Sequence, residues 1–309
     1  MLERKWWTLI AVCTAIFMLL LDVTVVNVAL PDIQRELHAS FTDLQWVVDA
    51  YALTLATFVL NAGSLADLLG RRRVFASGVV LFTVASLLCG VATGPLFLIL
   101  ARGLQGIGGA IMFATSLALL SQEFHGRERG TAFGIWGATT GAAVAVGPLV
   151  GGALTQGFSW RWIFFINIPI GIAAFAVTML RLAESRDERH GGIDVLGLAT
   201  LSTGLFLLVF SLLRGNDLGW SSAWIVGGLA AAVALVIAFV AVEVRQSRPM
   251  LDVGLFRVPT FVGAQIAAFV ISSAVFSLFL YLTLYLQNVL GYSPLSAGVR
   301  FLPITLLSF

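Results

Sequence analysis

The chain has 309 residues, 59% of them hydrophobic and 11% charged, with a formal net charge of +2 and a mean hydropathy of +0.97. A soluble domain carries about 25% charged residues, so this composition excludes water as the main solvent of the chain. The small basic excess does not indicate nucleic acid as a partner, because all the Lys and Arg residues but Arg102 and Arg300 lie in or beside the short connections, and they form no stripe interleaved with aromatic residues.

A hydrocarbon layer about 30 Å thick needs about 20 apolar residues of helix. Runs of that length lie near 7–30, 44–66, 74–93, 95–121, 131–156, 162–182, 194–213, 222–242 and 259–289. A further run starts near Ser293 and is still apolar at Phe309, so the chain is expected to stop inside a span and to lack later helices. Short connections predict one all-α membrane protein rather than a soluble domain with an anchor. Positive charge is retained in the cytoplasm near helix ends. Arg4, Lys5, Arg71, Arg72, Arg73, Arg127, Arg129, Arg181, Arg186, Arg189, Arg245, Arg248 and Arg257 fall on one side, against Arg35, Arg161 and Arg214 on the other. This places the N-terminus in the cytoplasm of a multi-pass protein, with an uncleaved first helix because no small-residue cleavage site follows it.

The first run contains Asp22, well inside an apolar span. An ionisable group there normally faces a cavity or a partner and marks a substrate or proton pathway; the alternative is an Asp bonded to a neighbouring helix. The second and third runs join through Gly63-Ser64-Leu65-Ala66-Asp67-Leu68-Leu69-Gly70-Arg71-Arg72-Arg73. By itself this is a topology signal; as a device, Asp67 beside the arginines makes a latch for the cytoplasmic ends. In the fourth run Arg102, Gln105, Gly106 and Gly109 share one helical face, joining a permanent cation and an amide to glycines that admit close neighbours. The fifth run carries Gly134, Gly137, Gly141, Ala145, Pro148 and Gly152 on one stripe, with Gly147, Pro148, Gly151 and Gly152 near its outer end, which reads equally as a gate or a packing seam.

These four segments resemble the signature motifs of the major facilitator superfamily, and as a set they are similar to its 14-helix drug:proton antiporter branch, the EmrB/QacA type. The loop at 63–73 departs from the pattern at Leu68, where a basic residue is usual, and the fifth-helix motif has Ala143 in place of its leading glycine. Trp160-Arg161-Trp162-Ile163-Phe164-Phe165-Ile166-Asn167-Ile168-Pro169 also resembles that branch. The resemblance implies a major facilitator fold: a six-helix bundle of two inverted three-helix repeats over 1–182, a central segment with two inserted helices over 183–258, and the start of a second bundle over 259–309. It further implies a proton-coupled exporter of drug-like or antibiotic molecules in the plasma membrane, with Asp22 and Arg102 in proton coupling and with no cofactor and no ATP. A nutrient symporter or uniporter would use the same bundle, and a membrane sensor would move no solute.

Helix-end offsets place Asp22, Asp49 and Arg102 roughly 12, 8 and 10 Å below the outer surface at about 1.5 Å per residue, so these three are expected to form one charge cluster, with Asp49 the shallowest member. Burial and a nearby cation act oppositely on a carboxylate, and so can hold the group ready to exchange a proton.

Other chemistry is weak. His38 and Asp43 have the HxxxxD spacing of a base and its orienter, but stand in an outer connection of about a dozen residues. Cys13 and Cys89 lie in apolar runs and read as packing groups. His125 and His190 lie in charged loops. Gly106-Ile107-Gly108-Gly109 has no strand before it, there is no phosphate-binding loop for ATP, and no residue set suggests a metal site.

Overall fold

The computed structural model describes residues 3–186, 194–246, 251, 253–292, 296 and 300. Among these residues the chain is helical, with no strand. The long helices are α1 (Arg4–Leu37), α2 (Phe41–Leu69), α3 (Arg71–Gly90), α4 (Pro95–Glu123), α5 (Gly126–Gly157), the broken pair α6 (Trp162–Phe165) and α7 (Asn167–Arg181), α8 (Val195–Leu218), α9 (Ala223–Arg245) and α10 (Pro259–Leu284). A π-helical turn, Tyr285–Val289, continues α10. Eight of the described segments are long and apolar enough to cross a membrane, and they correspond to the first eight apolar runs of the sequence. The run beginning near Ser293, and with it Arg189, His190 and Arg248, falls outside the described residues except at Ser296 and Arg300.

One expectation about a helix end is corrected. Helix α1 does not stop at Pro31 but runs through it to Leu37. Proline removes one backbone donor, yet Ala29, Ile33 and Leu37 are buried in an apolar cluster with Leu44, Val47 and Trp160, and this packing holds the helix together across the missing bond. Consequently the connection to α2 is short. His38 ends α1 in the left-handed conformation, and Ser40 opens α2 with a capping box, its hydroxyl accepting from the Asp43 N–H at 3.2 Å while the Asp43 carboxylate accepts from the Ser40 N–H at 2.9 Å. Asp43 is therefore a cap, and the HxxxxD spacing has a structural origin.

Close packing of α1, α2, α3 and α4 follows from small residues. A side chain on Gly106 would run into the Tyr51 carbonyl and the Thr54 hydroxyl of α2, and one on Gly108 would come within 2.6 Å of the Phe82 backbone nitrogen of α3. The two glycines, two residues apart, let α4 meet α2 on one side and α3 on the other. Helices α1 and α5 pack through Gly147 and Gly151. Helices α8 and α9 form a hairpin that meets α2 through α8; Asn61 donates to the Ser202 hydroxyl, and Trp46 packs on Phe210 with ring centroids 6.0 Å apart.

Candidate functional site

At the centre of the α1–α7 bundle lies a dry polar network. Asp22 of α1 is fully buried, as are Gln105 of α4, Ser86 of α3 and Asn167 of α7, while Arg102 of α4 is 1% exposed. The Arg102 Nη1 donates to Asp22 Oδ2 at 2.5 Å and to Gln105 Oε1 at 2.7 Å, and its Nε donates to the Val47 carbonyl at 3.1 Å. The Gln105 amide nitrogen donates to Asp22 Oδ1 at 2.9 Å and to Ser86 Oγ at 2.7 Å. The Asn167 amide nitrogen donates to the same two oxygens, at 3.0 and 3.2 Å. The guanidinium also lies 4.2 Å from the centroid of the Tyr51 ring. Every oxygen of the buried carboxylate thus meets a donor, which is the condition under which an ion pair survives in an apolar interior.

Sequence reasoning named Asp22, Arg102 and Gln105 and missed the rest of the network. Gln105 and Arg102 meet as an i, i+3 pair on α4. Asn167 arrives because α6 and α7 are separated at Ile166. Pro169 has no N–H to offer the Phe165 carbonyl, and the chain re-enters a helix with Asn167 at its inner face. Its polarity inside an apolar run was the available signal. Cys89 is buried as a packing group and also donates weakly from its thiol to Gln105 Oε1, at 3.6 Å.

Asp49 is not a member of this cluster. It is half-buried on α2, its charged neighbours are Arg214 and Asp217 of α8, and it lines a shallow apolar recess with Leu30, Pro31 and Phe41. Offsets along separate helices gave a shared depth, but α2 turns Asp49 toward the charges of the hairpin and away from Asp22 and Arg102.

The 63–73 segment does form charge pairs. Asp67 receives Arg71 Nε at 2.9 Å and Nη2 at 2.7 Å, across one turn where α2 meets α3. Arg72 and Arg73 are matched instead by Glu184, whose Oε2 lies 3.7 and 3.5 Å from their Nε atoms and whose Oε1 accepts from the Arg72 N–H at 3.1 Å. The Arg71 N–H donates to the Ser185 carbonyl at 2.8 Å. The strand of chain after α7 is thereby tied to the Gly70 turn. Gly70 has φ +107°, and a side chain there would lie 2.6 Å from Glu184 Oε1, so both conformation and space require glycine. Glu184 was not singled out from sequence, because an acid among the arginines of a polar connection carries no distinctive pattern. Gly63 has open space around it.

On α5, Gly147 lies against Thr24 and Gly151 against Val25 of α1, whereas nothing approaches within 4 Å of the added-carbon positions of Gly134, Gly137 and Gly152. The contact face is the Ala143, Gly147, Gly151 row, which is buried, and not the stripe through Gly134 and Gly137. Pro148 lies inside the helix beside this face. At the far end of α1, Glu36 accepts from Trp160 Nε1 at 2.7 Å and from Arg161 Nη2 at 2.8 Å. Arg161 also donates to the Gly90 and Ala92 carbonyls that end α3, at 3.1 and 2.7 Å.

Residues 12–195 match the Major Facilitator Superfamily. The chain belongs to that family. It is 39% identical over 304 residues to the tetracenomycin C resistance and export protein of Streptomyces glaucescens, covering 98% of this chain and 56% of that protein. It is 40% identical over 304 residues to the puromycin resistance protein pur8 of Streptomyces alboniger, covering 98% of this chain and 60% of the relative. With the multidrug resistance protein Stp of Mycobacterium tuberculosis it shares 40% identity over 299 residues, 96% of this chain and 56% of that one. The chain thus spans somewhat more than half the length of these relatives. Among solved structures it resembles the POT family transporter PepTSo, with a TM-score of 0.56 at 16% identity over 81% of this chain and 55% of that chain, a likeness of fold alone.

Proposed function

We propose that the protein is a proton-coupled antiporter that exports small drug-like or antibiotic molecules, of the 14-helix drug:proton antiporter type, with its N-terminus in the cytoplasm. The observation that carries the reading is the Asp22–Arg102 pair, a carboxylate and a permanent cation fully withdrawn from solvent at the meeting point of α1 and α4. A group placed there at such solvation cost is a functional one by default. Protonation of Asp22 would cancel one charge of the pair and loosen the hold of α4 on α1, giving the proton a different affinity for two arrangements of the bundle, which is what coupling requires. The names of the relatives support export as the direction and resistance compounds as the cargo. The α8–α9 hairpin, placed between the bundle and α10, supports the 14-helix type.

The test is drug-induced proton release from everted membrane vesicles of a pump-deficient host expressing the full-length gene, beginning with tetracenomycin C and puromycin. Export that collapses with the pH gradient and is absent in Asp22→Asn is expected. Gradient-independent movement, or accumulation rather than export, overturns the reading.

A further inference from the structure

The side chains around Asp22 all offer it donors: Arg102 Nη1 to one oxygen, Gln105 Nε2 and Asn167 Nδ2 to the other. This surround fits an ionised carboxylate and provides no acceptor for the O–H of a protonated one. The titratable and charged groups near it are few. Helix α4 contributes Arg102, α2 contributes Tyr51, whose hydroxyl faces the Leu19 carbonyl at 3.5 Å, and α3 contributes the Cys89 thiol. The charges of α5 are confined to Arg127, Glu128 and Arg129 in its first turn, α6 has none, and α7 has only Arg181 at its far end. One acceptor in the network is idle: the Asn167 carbonyl oxygen, Oδ1, is buried with no hydrogen-bond partner. An unpaired buried amide oxygen is costly, and because it shares Cγ with the nitrogen that holds Asp22, rotation of the amide makes it available to that carboxyl.

We propose that Asn167 is a positioning residue for the Asp22 proton: its amide donates to the ionised carboxylate, and rotation about its Cβ–Cγ bond presents the idle Oδ1 to the O–H when Asp22 is protonated. The inference rests on the reading of Asp22 as the proton-carrying group. A single amide thereby serves both protonation states, exchanging its two ends. Gln105 lacks this freedom, because its oxygen already accepts from Arg102 and from Cys89. When the Asn167 amide turns, its bond from Nδ2 to Ser86 Oγ is exchanged for one in which Oδ1 accepts from the Ser86 hydroxyl, so the change at Asp22 is passed to α3 and α7 together.

The experiment is an infrared pH titration of the purified full-length protein, following the protonated-carboxyl band that disappears in Asp22→Asn. Asn167→Leu, of similar size but without donor or acceptor, removes the donor of the ionised form and the weaker acceptor of the protonated one; the difference is expected to move the midpoint alkaline by up to about one pH unit, a tenfold effect, and the protonated-carboxyl band is expected to change frequency because its O–H loses its acceptor. Asn167→Asp, which replaces the donor by a second acid, is expected to move it further in the same direction and serves if the leucine variant does not fold. An unchanged midpoint or an unshifted protonated-carboxyl band in a folded leucine variant, or the lack of any Asp22-dependent band in the parent protein, overturns the proposal. The titration needs no cargo, so it is separable from the export assay: loss of gradient-driven export in Asp22→Asn with no effect of Asn167 sinks this proposal alone, whereas full export by Asp22→Asn sinks the function reading.

Discussion

Arg102 and Asp22, 80 positions apart in the chain, meet at 2.5 Å with neither in contact with solvent. Removing one member strands the charge of the other, which costs about 3–5 kcal/mol for a buried pair. Asp22→Asn and Arg102→Gln should therefore each lower the melting temperature of the detergent-extracted protein. The double substitution removes both charges and should recover much of that loss without recovering export. Thermal-shift and vesicle assays on the same preparations separate the two roles; export by the double variant would assign the pair to packing.

Asp67 anchors Arg71 across the α2–α3 turn. Asp67→Asn keeps the shape and discards the charge, so insertion and expression should be normal while turnover falls. Transport at the parental rate, measured at matched protein levels, would leave the pair with no part in the cycle.

Glu184 holds the chain after α7 against the amides of Arg71 and Arg72, directly and through the neighbouring Ser185 carbonyl. In Glu184→Gln those two amides should exchange hydrogen faster, while exchange in the core of α3 is unaltered. Gly70→Ala imposes both a strained φ and a clash on the same contact, and should destabilise by more than about 1 kcal/mol. Hydrogen-exchange mass spectrometry of the 67–75 peptide reads both outcomes.

Gly147 lies where a side chain would occupy the position of the Thr24 hydroxyl. Gly147→Val should push α5 from α1 at a cost of about 1–3 kcal/mol, as overpacking does. Gly137→Val, on an open stretch of the same helix, should be tolerated. Equal melting temperatures for the two variants would contradict the assignment of the contact face.

The apolar runs made the helices legible, because the membrane length requirement acts on each segment alone. Asp22 and Arg102 were legible for a related reason: a charge inside such a run is conspicuous without knowledge of its partner. What the sequence concealed were rotations and arrivals. Asp49 stands at a similar helical depth yet faces α8, since depth follows from residue counts while azimuth depends on how each helix is turned by its neighbours. The α5 glycines formed two candidate rows a residue or so apart, and only contact with Thr24 and Val25 selects between them. Asn167 and Glu184 come into play through a helix break and a polar connection, where periodicity gives no guidance. The first run was read as ending near position 30, just before Pro31, yet burial of Ile33 and Leu37 carries the helix through the proline.

The α8–α9 hairpin leans on the bundle through α8 and α2, with α9 on the far side of α8. Any tilt of α2 would therefore be carried outward along a lever arm, so that a small rotation at Trp46 and Asn61 would become a larger displacement at α9. A spin or fluorescent label on an exposed α9 position such as Val233, paired with one on α5, would register changes of the bundle from outside the site, without touching any residue of the Asp22 network.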